Sequence, residues 1–198
     1  MSSNQSVVDE SAFILDGRLS LDLTWTLRYR AVAPTELLAE PADLGRWIAE
    51  ALAPVTEPVS PELLADAVRL REAIHDAARR VVDARRVRPA DRATINGFAA
   101  RPAPFTELGH GGVAMVRLRA GSQVESALAA VALDAVDLLS RDDGRLRACE
   151  GPACSLLFHD ASRPGRRRWC AAQRCGNRVN LAAHRRRRAA AHDQPTTH

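Results

Sequence analysis

Four cysteines carry the clearest chemistry in this chain, spaced Cys149-x4-Cys154-x15-Cys170-x4-Cys175. Two pairs of equal internal spacing, separated by an arginine-rich stretch, fit one tetrahedral four-thiolate zinc site. Iron–sulfur ligation and disulfides are the competing uses of such a set. Iron–sulfur clusters favour tighter spacings. Disulfides belong to exported proteins, and residues 1–12 show neither a basic segment nor an apolar one of the secretory kind. One structural zinc is therefore expected, because four thiolates leave no position for a catalytic water. The expected location is the cytoplasm. No stretch approaches the roughly 18 apolar residues that a membrane span needs.

Arginine is the second signal. The chain has 198 residues, no lysine, and a net charge of +4 carried by 28 arginines. That charge is unevenly spread: residues 141–198 hold 13 Arg against five acids, and residues 1–140 hold 15 Arg against 19. The reading is an acidic body that stays away from polyanions and a basic tail drawn to them. Arg163, Arg166, Arg167 and Arg168 lie between the cysteine pairs. Asn177, Arg178 and Arg185, Arg186, Arg187 and Arg188 follow the last cysteine. Arginine forks bind phosphate or guanine in two places. An Asn can pair with adenine, although beside a metal ligand it also serves as a cap. These ten are the candidate nucleic-acid contacts. DNA is the expected partner, with folded RNA or an acidic protein docking on a zinc-stapled tail as alternatives. No nucleophile–base pair, glycine-rich phosphate loop or paired catalytic motif is visible, so an enzyme is not expected.

The elements that position these residues divide into a body, 1–140, and a zinc module, 145–192. Asp142-Asp143-Gly144 breaks the chain between them. The body reads as mostly helical. Pro41 to Leu52, Ser60-Pro61 to about Ala84, Asp91 to Ala100 and Gln123 to Leu139 each show helical spacing of apolar residues, several with proline or serine at the start. Phe13 to Leu15 returning as Leu19 to Leu23 around Asp16-Gly17 reads as a hairpin, and Gly111 to Ala120 as a strand. In the module, Cys149 to Cys154 reads as a knuckle and Ser155 to His159 as a strand. Ala161 to Arg168 is a basic loop, and Trp169-Cys170 ends a second strand. A helix then runs from Cys175 to about His192, a treble-clef-like order. The fold class is α+β: a mostly helical N-terminal domain with a small sheet, followed by the four-cysteine module.

The string from Cys149 to Arg178 resembles the CGNR zinc-finger family. It includes Phe158, Asp160, Ser162, Arg163, Arg168, Trp169 and Cys175-Gly176-Asn177-Arg178. Ser20 to Thr26 resembles the Leu-Asp-Phe-Val-Asn-Thr motif that opens the ABATE domain, which precedes the CGNR finger in a family of stress-induced transcription regulators. Trp25 stands where that motif often has Asn, and Asn180 where a Lys often follows the Cys-Gly-Asn-Arg string of the finger. The resemblance implies a DNA-binding regulator with a zinc finger. A finger this small usually needs a second half-site, so a homodimer is expected by analogy. Asp22, Trp25, Thr26 and Arg30 combine an acid, a ring, a hydroxyl and a cation, and are the candidate lining of a small-molecule effector pocket.

Overall fold

In the computed structural model, the described residues are 12–141, 143–171 and 175. They form five α-helices and three two-stranded antiparallel sheets, an α+β fold. None of these helices is long and apolar enough to cross a membrane.

The helices of the body follow their local chemistry. α2 (Pro41–Ala51) is entered through a capping box, in which the Asp43 carboxylate accepts from the Glu40 N–H at 3.0 Å. Leu44, Trp47 and Ile48 face the core. α3 (Pro61–Val82) starts with Pro61 behind Ser60, whose Oγ accepts from the Leu63 N–H at 3.3 Å. Ala67, Leu70, Ile74 and Ala77 give it a buried stripe. α4 (Pro89–Ala99) buries Ile95 and Phe98. α5 (Gln123–Ser140) is covered along Val124, Leu128, Val131, Ala132 and Ala135, and packs on both α3 and α4.

The expected hairpin returning through Leu19 to Leu23 is not formed. Leu19–Thr24 is a helix, α1, packed on α3 and α5. Leu-Ser-Leu-Asp-Leu-Thr alternates like a strand, yet from Ser20 to Thr24 both its apolar and its polar residues are buried. The polar ones find partners: Ser20 Oγ donates to Asp134 at 2.5 Å, and Thr24 Oγ1 to the Leu21 carbonyl at 2.7 Å. The alternation therefore marks burial on every side, not a sheet face. Beyond α1, β1 (Leu27–Arg28) pairs with β2 (Thr35–Glu36).

The expected strand near Gly111 to Ala120 is β4 (Ala114–Arg117), paired with β3 (Phe105–Leu108). In the module, β5 (Leu146–Ala148) pairs with β6 (Leu157–His159), with Arg147 opposite Phe158. The partner of the Ser155 to His159 strand thus precedes the first cysteine. Trp169-Cys170 lies in a bend. The anticipated helix after Cys175 lies outside the described residues.

Candidate metal centre

The β5–β6 hairpin carries the first cysteine pair at its open turn. The Cys149 N–H donates to the Leu156 carbonyl at 2.9 Å, and the Cys154 N–H to the Gly151 carbonyl at 3.0 Å. Ala153 takes a left-handed φ of 62° to close the knuckle. Gly151 is required there for space. A Cβ on it would stand 2.7 Å from Cys175 Sγ and 2.8 Å from Cys175 Cβ.

The four sulfurs lie within 4.8 Å of one another, with Cys154 to Cys170 at 3.9 Å and Cys170 to Cys175 at 3.7 Å. A tetrahedron with zinc–sulfur bonds of about 2.3 Å has sulfur–sulfur edges of about 3.8 Å, so the cluster fits one zinc ion. The surroundings suit thiolates. Cys149 Sγ accepts from the Gly151 N–H at 3.4 Å and the Cys170 N–H at 3.3 Å. Hydrogen bonds from the Cys154 and Cys170 thiols, with help from these N–H groups, pull the Cys149 thiol far below its ordinary value. The same crowding pushes Cys154 up to about 12 and Cys170 higher still, both chiefly through Cys149, while burial raises Cys175. Without a cation, one thiolate suppresses the others. A dication removes that conflict and allows all four to ionise. Cys149, Cys170 and Cys175 are buried and Cys154 is half-buried. This closed, four-thiolate arrangement makes the zinc structural.

The basic loop is organised by Asp160, which is fully buried. Its carboxylate accepts from Ser162 Oγ at 2.6 Å, the Ser162 N–H at 3.0 Å and the Arg167 N–H at 2.7 Å. The Ser162 hydroxyl above all, then the two N–H groups, hold its pKa down at about 2 against the cost of burial. Arg145 donates to the Asp160 and Ser162 carbonyls at 2.8 Å, and Arg147 to the Gly165 carbonyl at 2.8 Å.

The loop arginines separate into two kinds. Arg167 is committed to the fold: it donates to the Trp169 and Cys170 carbonyls, pairs with Asp16 at 3.3 Å and stacks over Phe158 at 4.7 Å. Arg168 pairs with Glu150 at 2.6 Å but keeps 63% of its side chain exposed. Arg163 and Arg166 are exposed and make no ion pair among the described residues. Asn177, Arg178, Arg185, Arg186, Arg187 and Arg188 lie outside the described residues.

The four pocket candidates are all engaged internally. Asp22 is buried and accepts from the Asp16 N–H at 2.8 Å. Its pKa rises to about 6, mainly through burial, with backbone hydrogen bonds opposing. Thr26 Oγ1 donates to the Leu23 carbonyl and accepts from Arg71 at 3.1 Å. Arg30 pairs with Glu72 at 2.5 Å, inside a network in which buried Arg71 grips Glu36 and Glu72. Trp25 reaches the zinc module: its indole N–H donates to the Leu157 carbonyl at 2.6 Å. Its ring shares an apolar cluster with Phe158, Cys149, Cys170 and Cys175. The Arg30 N–H donates to Ser155 Oγ at 3.0 Å, and Leu21, Ala78 and Leu138 cover Leu157. The finger is therefore docked on the body. Sequence reasoning missed this docking and the roles of Arg145 and Arg147, although Arg-Leu-Arg-Ala at 145–148 alternates as an edge strand should.

Comparison with known families agrees with this geometry. Residues 17–142 match ABATE, described as a putative stress-induced transcription regulator, and residues 145–188 match the CGNR zinc finger. No curated protein matches the chain. With its body matched almost from end to end, and its four sulfurs set at zinc spacing behind it, this chain belongs to the ABATE family and carries a C-terminal CGNR zinc finger.

Proposed function

We propose that this protein is a DNA-binding transcription regulator whose finger reads DNA from a zinc-held scaffold. One observation carries the reading. The sulfur cluster fits a structural zinc, and the loop between its ligands displays Arg163 and Arg166 with no carboxylate partner among the described residues. When bound, zinc supplies cross-linking and no chemistry, so the reading does not make the protein an enzyme. Asp160, Arg145 and Arg147 hold the loop backbone, which lowers the ordering cost when the arginines meet phosphate. Arg178 and Arg185 to Arg188 add charge along the same basic tail.

Fluorescence anisotropy on random duplex DNA, titrated with salt, tests this. About five phosphate contacts from the finger and its tail contribute roughly −4.5 to the log–log slope. A slope near zero refutes the reading. Competition by folded RNA that outmatches duplex DNA reassigns the partner to RNA.

A further inference from the structure

The body is acidic in sum, yet its surface is not uniformly so. Most of its arginines are held by carboxylates: Arg18 by Asp134 and Asp137, Arg30 by Glu72, Arg46 by Asp43, and Arg69 and Arg101 by Asp66. The segment from 79 to 92 differs, with six arginines against two aspartates. Asp83 pairs with Arg79, and Asp91 and Asp76 with Arg88. Arg80, Arg85, Arg86 and Arg92 have no ion pair among the described residues. Arg85, Arg86 and Arg92 are exposed, and Arg80 is half-exposed.

The backbone beneath these side chains is fixed. α3 ends in a left-handed residue, Ala84 at φ 54°, and the Arg85 N–H donates back to the Arg80 carbonyl at 2.7 Å. Arg80 Nε donates to the Arg86 carbonyl at 2.5 Å. Arg88 then ties the start of α4 to α3 through Asp91 and Asp76. Four uncompensated guanidinium groups are thus displayed on a short, braced helix–turn–helix corner. This corner adjoins the zinc module: Ala78 and Val82, in the last turns of α3, pack with Leu146, Ala148 and Leu157 of the β5–β6 hairpin.

We infer that Arg80, Arg85, Arg86 and Arg92 form a second nucleic-acid-binding surface on the body, engaging backbone phosphates beside those met by the finger. The inference rests on the DNA-binding reading and deepens it. The partner is a nucleic acid and not a protein, for two reasons. No exposed large apolar side chain lies among residues 79–92, whereas a protein interface core needs one. Unpaired arginine forks match the regular phosphate ladder of a duplex.

The test compares the full-length wild type with R85Q/R86Q/R92Q and R80Q/R85Q/R86Q/R92Q on random duplex DNA across a salt series. R163Q/R166Q marks the finger, and thermal unfolding confirms that each variant is folded. The triple variant leaves the Arg80–Arg86 bond in place, so it remains informative if the quadruple variant is unstable. At about 0.9 per lost phosphate contact, the log–log slope should flatten by up to about 2.7 in the triple variant and about 3.6 in the quadruple one. Affinity at physiological salt should fall at least tenfold. A triple variant with wild-type slope and affinity, beside a weakened R163Q/R166Q, overturns this surface and leaves the finger reading standing. A wild type that does not bind duplex DNA overturns both.

Discussion

Replacing Asp22 with Asn should stabilise this protein, increasingly so as pH rises. Asp22 is 2% exposed, and burial lifts its pKa from 3.8 to about 6. Asp16 and Asp134 add repulsion, while the Asp16 and Gly17 N–H groups oppose the rise. The sign follows from linkage. A carboxyl raised by folding binds its proton more tightly in the native state. Stability therefore falls as pH rises from the unfolded value through the folded one, and the loss is complete above about pH 7. Each tenfold change in proton affinity is worth about 1.4 kcal/mol, so the charged side chain costs about 3 kcal/mol at pH 8 and about 1.6 kcal/mol at pH 5. Asn keeps the acceptor oxygen facing the Asp16 N–H and never ionises. Urea unfolding of wild type and D22N at pH 5, 6, 7 and 8 gives the difference directly, and zinc-linked protonation, common to both proteins, largely cancels. The gap should widen by about 1.4 kcal/mol between pH 5 and 8. A gap independent of pH, or a less stable D22N at pH 8, would refute the assignment of a penalised charge to this position.

Other substitutions probe the docking and the metal site. Trp25→Phe strands the Leu157 carbonyl that the indole N–H now satisfies; chemical denaturation should show a loss of about 1–3 kcal/mol. Gly151→Ala drives a methyl into Cys175. Overpacking of about 1–3 kcal/mol corresponds to roughly 5- to 150-fold weaker zinc binding, measurable by competition with a chromophoric chelator. Gly97, inside α4, has open space where a Cβ would stand, so Gly97→Ala should raise stability by about 0.5–1 kcal/mol in thermal melts.

The parts of this fold that sequence reveals are those specified locally. α3 announces itself through Ser60, Pro61 and a stripe of alanine and leucine, and the structure starts it there. The cysteine spacing is likewise local, and the sulfurs meet as it requires. What stays hidden depends on contacts distant in sequence. α1 alternates like a strand and is helical because α3, α5 and β6 enclose it. Trp25, in a motif that suggests a pocket, is spent on a carbonyl 132 positions away. Arg167 and Arg168 are neighbours of identical chemistry, yet one is bound into the fold and the other projects. Net charge misleads in the same way. A body with more acids than arginines still leaves four arginines together with no carboxylate partner among the described residues, because pairing is decided by where α3 turns into α4.

The most direct test of the zinc-held finger is the metal content of the purified full-length chain, by native mass spectrometry with thiol titration before and after chelation. One zinc per chain is expected, with no reactive thiol while the metal is bound and four after its removal. A chain that is folded without zinc, or whose cysteines are paired as disulfides, would contradict this expectation.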